Sequence, residues 1–153
     1  DSMLETFGPL LRAAHGVSLD DPVSAVAELN ARLDPQGEEA AALNLALKAL
    51  LDEGRIADRG ELPVRWGRVA KPCEESLGFS IDVVLMNGPG PRHRHPLGEV
   101  NYCIALEDSP TFQDQGPGWV VESPGSEHVP TVAGGLMLIV YLLPEGSMEF
   151  LES

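Results

Sequence analysis

The sequence predicts a mainly β protein, a single small barrel or sandwich of short strands preceded by a helical region of about three helices. Two observations carry this prediction. Helical apolar spacing runs through about the first 58 residues and then stops. From about residue 62 proline and glycine become frequent, and short alternating runs appear between Gly/Pro turns. Many short strands at close spacing indicate a closed or two-layered β structure. The change of character divides the chain into a helical region, residues 1–60, and a β domain, residues 61–153.

Within the helical region, Leu4, Phe7, Leu11 and Ala14 follow helical spacing and Gly16 is a stop. Asp21-Pro22 reads as an N-cap followed by proline at the first helical position, opening a helix with the stripe Val23, Val26, Leu29 and Leu33. Asp34-Pro35 repeats that signal for a third helix, with Ala40, Leu43, Leu47 and Leu50 on one stripe and a break near Gly54. Each stripe must be laid on something, either the rest of the chain or a second subunit. In the β domain, Val64 to Val69 is the first strand. Phe79, Ile81, Val83 and Leu85 alternate with Ser80, Asp82, Val84 and Met86, the pattern of a half-buried strand. Asn87-Gly88-Pro89-Gly90-Pro91 is a turn, and Val100 to Ala105 and Trp119 to Val121 are strands. Pro124-Gly125-Ser126 turns again before His128. Ala133-Gly134-Gly135 is a predicted tight turn ahead of Leu136 to Leu143, the most apolar run in the chain.

A net charge of −14 with only ten Lys and Arg residues excludes a nucleic-acid binder, which needs clustered cations to neutralise phosphates. No stretch has the length of a transmembrane helix, and Asp1 to Glu5 lack a basic, apolar signal segment, so a cytoplasmic protein is expected. Cys73 and Cys103 are too few for a disulfide scaffold and are expected to be buried thiols.

Two of the four histidines lie one residue apart in Pro91-Arg92-His93-Arg94-His95-Pro96-Leu97-Gly98-Glu99. Residues i and i+2 of a strand share a face, so His93 and His95 project together while Arg94 points away. Glu99 joins them after a short turn, and His128 closes the set from a neighbouring strand. Three imidazoles and one carboxylate suit one divalent ion, Fe, Mn, Ni or Zn, and leave positions open for water or substrate.

These residues carry a resemblance. Gly90 to Glu99 resembles the first cupin motif, a glycine followed by HxH and a glutamate. Gly118 to His128 resembles the second, in which Gly, Pro and Gly precede a histidine. Leu106 and Val132 depart from the usual motif ends, at turn positions rather than ligand positions. More narrowly, HPLGEVNYCIAL, GWVVESPGSEHVPTVAGGLMLIVYLL and the closing LPEGSMEF are similar to the cupin family that includes 4-hydroxylaminobenzoate lyase. The resemblance implies a cupin-type jelly-roll barrel holding a divalent metal by His93, His95, Glu99 and His128. It also implies conversion of a hydroxylaminobenzoate to a dihydroxybenzoate with release of ammonia, a small aromatic substrate and a homodimer.

For that chemistry, Tyr141 is the candidate acid or base. A substrate carboxylate wants an arginine fork. Arg65 and Arg68 are three apart on the first strand, so at most one faces the barrel, and Arg65 is taken as the candidate. Trp119 is a candidate for stacking on the ring. Two alternatives use the same residues: an Fe(II)-dependent dioxygenase, and a non-catalytic cupin that binds a small molecule.

Overall fold

Helices begin where the sequence supplies caps. In the computed structural model, which describes residues 2–151, α1 spans Ser2–Thr6, α2 Gly8–Ala14, α3 Pro22–Arg32 and α4 Glu38–Asp52. The first expected helix is therefore two. Pro9 has no N–H to donate to the preceding turn, so the helix restarts around it, with Phe7 as the N-cap. Asp21 caps α3 as expected, its carboxylate accepting from the Val23 N–H at 3.2 Å. The second Asp-Pro signal is displaced. Asp34 accepts the N–H of Gln36 on its side chain and that of Gly37 on its carbonyl, both at 2.9 Å. That closes a turn, and α4 begins only after Gly37. Its far end is a glycine stop in which Gly54 and Arg55 donate back to Leu51 and Leu50.

The strands are β1 (Arg59–Glu61), β2 (Val64–Ala70), β3 (Phe79–Met86), β4 (His93–His95), β5 (Glu99–Phe112), β6 (Gly118–Glu122), β7 (Ser126–His128), β8 (Val132–Pro144) and β9 (Glu149–Phe150). A six-stranded sheet runs β1-β2-β3-β8-β5-β6, and a three-stranded sheet runs β7-β4-β9. All pairings are antiparallel. The fold is thus a mainly β small barrel with N-terminal helices, as expected.

The large sheet is covered on both sides. Ile81, Val83, Tyr102, Trp119, Val140 and Leu142 face outward into one cluster with Phe7, Leu10, Leu29 and Leu47 of the helices. Val84, Met86, Cys103, Met137, Ile139 and Tyr141 face inward into the barrel. This corrects the expectation of a half-buried third strand: β3 is buried on both faces because helices occupy the side that water would otherwise reach. Two polar anchors fix the helices. The Trp119 indole donates to the Leu33 carbonyl at the end of α3 at 3.0 Å, and the Tyr102 hydroxyl donates to Asn44 of α4 at 2.8 Å.

Two further expectations change. Ala133-Gly134-Gly135 is not a turn but part of β8. Gly135 opposes Asp108 where β5 is irregular, and a Cβ there would collide with the Glu107 carbonyl. Cys103 is buried, but Cys73 is exposed; both are free. Among the described residues, no helix is long and apolar enough to cross a membrane.

Because helices and sheet share one apolar cluster, Leu47→Ala should cost about 2–5 kcal/mol and Tyr102→Phe about 1 kcal/mol. Urea melts followed by far-UV circular dichroism and by tryptophan fluorescence should move together. Separate helical and strand transitions would contradict the shared core.

Candidate metal centre

The histidine pair sits on β4, a three-residue strand held between β7 and β9. Alternation buries His93 and His95 on the barrel side and sends Arg94 outward, where it pairs with Glu149 at 2.6 Å. β7 places His128 directly opposite His93. The His95 carbonyl accepts from Gly98 at 3.1 Å and from Gly125 at 2.7 Å, so one backbone oxygen ties together the turns before Glu99 and before His128. Gly98 has a φ of 89°, and a side chain there would press on Leu19 and on the Glu122 carbonyl, which explains glycine in this turn. Glu99 then opens β5 with its side chain inward.

One ligand-type atom from each of His93, His95, Glu99 and His128 lies within 4.8 Å of the others. The outer side of each group is mostly spoken for. His93 Nδ1 lies 3.2 Å from the Pro91 carbonyl, Asn101 donates to Glu99 Oε2 at 2.7 Å, and His128 Nδ1 meets Glu122 Oε2 at 3.0 Å. The inner side is not. His93 Nε2, His95 Nδ1 and Glu99 Oε1 are buried without a hydrogen-bond partner. His95 Nδ1 approaches Glu99 Oε1 to 3.1 Å, but without hydrogen-bond alignment. His95 Nε2 and His128 Nε2 face each other at 3.1 Å. Lone pairs aimed at one another out of water are costly unless a proton or a cation lies among them. Three imidazoles and a carboxylate fit a divalent ion of borderline softness.

Burial and the neighbouring imidazoles push His95 down to about 3, and burial followed by His93 pushes His128 down to about 4. Burial lowers His93 as well. All three rings are therefore neutral at pH 7, the form in which imidazole ligates. Glu99 moves the other way: burial raises it well above the usual carboxylate range, against the Asn101 hydrogen bond.

Beside His93 opens a cavity of about 690 Å³, walled by Trp66, Arg68, Asp82, Met86, Tyr141 and Phe150 among others. Tyr141 lies in this wall, 4% exposed, with its hydroxyl 3.9 Å from the Met86 sulfur. Burial raises its phenol well above the ordinary value, with the Glu99 carboxylate adding to the shift. Arg65 is not in the wall. Its side chain leaves β2 on the outward face and donates to the Ala57 carbonyl at 3.1 Å. Arg68 takes the inward position instead. The register explains the exchange, because Arg65 opposes outward-facing Leu85 whereas Arg68 opposes inward-facing Asp82. Trp119 is likewise outside the cavity, packed beneath α3 and T-shaped against Tyr102. Three residues complete the site: Arg68, Asn101 and Glu122. Asn101 was legible by alternation from Glu99. Glu122, six positions before His128 and on another strand, gives no local signal.

The profile of the 4-hydroxylaminobenzoate lyase family matches residues 8–150. Two relatives bear that name. The Pseudomonas putida protein is 32% identical over 102 residues, covering 56% of this chain and 58% of its own length. The Nocardioides sp. (strain LMS-CY) protein is 35% identical over 94 residues, covering 56% of this chain and 56% of its own. The chain thus matches little more than half the length of each. Among solved structures, an RmlC-like cupin protein from Ralstonia eutropha superposes with a TM-score of 0.45 at 16% identity, over 61% of this chain and 62% of that one.

Glu99 is a carboxylate buried with one oxygen unpartnered, so its neutral isostere should stabilise the metal-free protein. Below pH 4.5 the unfolded glutamate is protonated too and the penalty vanishes; it grows as pH rises towards the raised pKa of Glu99. Metal-free Glu99→Gln should therefore exceed wild type by about 1–3 kcal/mol near pH 8 and by much less at pH 4.5. Equal urea midpoints at pH 8 would show that the charge is compensated.

Proposed function

The chain belongs to the 4-hydroxylaminobenzoate lyase family, and on that premise we propose that it is a metal-dependent lyase acting on a hydroxylaminobenzoate. The proposed reaction takes 4-hydroxylaminobenzoate and one water to 3,4-dihydroxybenzoate and ammonia. Atoms balance without an external oxidant. The observation that carries the reading is the set of three unpartnered ligand atoms, on His93, His95 and Glu99, with His128 beside them, of which His93 also lines a cavity large enough for one aromatic ring.

In this reading His93, His95, Glu99 and His128 hold one divalent ion. When bound, the ion supplies Lewis-acid polarisation of an oxygen. Pro91, Asn101 and Glu122 hold the outer sides of three of these ligands and so orient them. Tyr141 keeps its proton at neutral pH because burial raises its phenol, so it serves as a proton donor to the leaving nitrogen or oxygen rather than as a base. Trp66, Met86 and Phe150 exclude water and pack against the ring. A homodimer belongs to the same proposal, supported by apolar surface left on α3 and α4, where Val23 is 81% and Leu45 69% exposed.

Two measurements test this reading. Elemental analysis should find about one divalent ion per chain, falling at least tenfold in His95→Ala and His128→Ala; full occupancy in both variants would refute the ligand set. Under strict anaerobiosis the protein should release one ammonia per 4-hydroxylaminobenzoate consumed, and chelation should abolish it. Oxygen uptake in step with substrate loss would favour an Fe(II) dioxygenase. Tight binding without turnover, indifferent to His95→Ala, would favour a binding protein.

A further inference from the structure

Among the described residues, the cavity wall carries a single cationic side chain, Arg68. Arg68, Asp82, Tyr141 and Asn101 form one row across β2, β3, β8 and β5, each in register with the next. At about 4.8 Å per strand, the Arg68 backbone lies about 14 Å along the sheet from Asn101, the residue that holds Glu99. The guanidinium is thus set apart from the four ligand groups, with the phenol of Tyr141 in the row between them. A ring with para substituents spans such an interval once both side chains reach inward.

The guanidinium is already oriented. Arg68 Nε donates to Asp82 Oδ1 at 2.9 Å and one terminal nitrogen donates to Oδ2 at 3.3 Å. An arginine has five N–H donors, so three remain for a ligand. The chain carries a net charge of −14, so an anion gains nothing from the protein's long-range field and must be recognised by local, shaped donors. We propose that Arg68, clamped by Asp82, receives the ring carboxylate of the substrate and sets a preference for para-carboxylated over unsubstituted hydroxylaminoarenes. The inference rests on the lyase reading above. Asp82 acts in two opposed ways: it fixes the fork, and it neutralises the charge, which restrains affinity for anions.

The test uses the protein as purified, with Arg68→Met and Asp82→Asn compared at equal metal content and equal circular dichroism. Equilibrium binding is measured for 4-hydroxybenzoate and for phenol, and kcat/KM for 4-hydroxylaminobenzoate and for N-phenylhydroxylamine. Loss of a charge-assisted hydrogen bond should lower the carboxylate preference of Arg68→Met by about tenfold or more in both assays. Asp82→Asn, which frees the charge, should tighten 4-hydroxybenzoate several-fold and leave phenol within twofold. Unchanged discrimination in Arg68→Met would overturn the inference, as would weaker 4-hydroxybenzoate binding in Asp82→Asn with an unchanged preference. If wild type turns over neither hydroxylaminoarene, the lyase reading fails, and the binding pair still decides the role of Arg68.

Discussion

A carboxylate taken wholly out of water governs the arrangement of the barrel. Glu99 is 0% exposed, with one oxygen held by Asn101 and the other facing the imidazole cluster without a hydrogen-bond partner. Desolvating such a group costs several kcal/mol unless opposite charge or hydrogen bonds replace the lost water. The surrounding structure supplies outer-side partners and leaves inner-side atoms of His93, His95 and Glu99 unpartnered. Each ring that can be held from behind is held: His93 by a backbone carbonyl, His128 by Glu122. The proposed ion would satisfy, in one step, the atoms that the chain leaves unsatisfied.

Burying that centre requires a sheet shielded on both sides. Alternation along β5 sends Glu99, Asn101 and Cys103 inward and Val100, Tyr102 and Ile104 outward. The outward set would face water in a bare barrel. Here α2, α3 and α4 cover it, and the bonds from Trp119 to Leu33 and from Tyr102 to Asn44 fix their seating. The two tryptophans and tyrosines consequently divide by face. Trp119 and Tyr102 serve the helix interface, while Tyr141 and Trp66 line the cavity.

The cavity wall carries both polar and apolar groups. His93 brings the ligand cluster to one part of its wall, the Arg68–Asp82 pair occupies another, and Trp66, Met86 and Phe150 supply aromatic and sulfur surface. Under the proposed reading, such a wall would receive a flat ring carrying polar substituents. Tyr141 lies in the row between the pair and Asn101, with a phenol that retains its proton. In that same reading, Tyr141 would be the proton donor to the substituent nearest the metal ligands.

Much of this was legible without coordinates. Period-two spacing put His93 and His95 on one face, Gly/Pro turns marked where Glu99 and His128 return to them, and Asp21-Pro22 opened α3 where its cap chemistry said it would. Such features are local, decided within a few residues by backbone geometry and hydrogen-bonding reach. The errors were of another kind. The second Asp-Pro signal closed a turn before α4, Gly134-Gly135 answered an irregularity in β5, and Arg68 rather than Arg65 faced the cavity. Alternation states that Arg65 and Arg68 lie on opposite faces but not which face is inside. That choice was made by pairing with β3, a strand more than ten residues away. By itself the sequence determined which residues share a face and where the chain turns. Only the tertiary structure decided which face became the barrel interior, because that depends on what distant strands and helices bury against it.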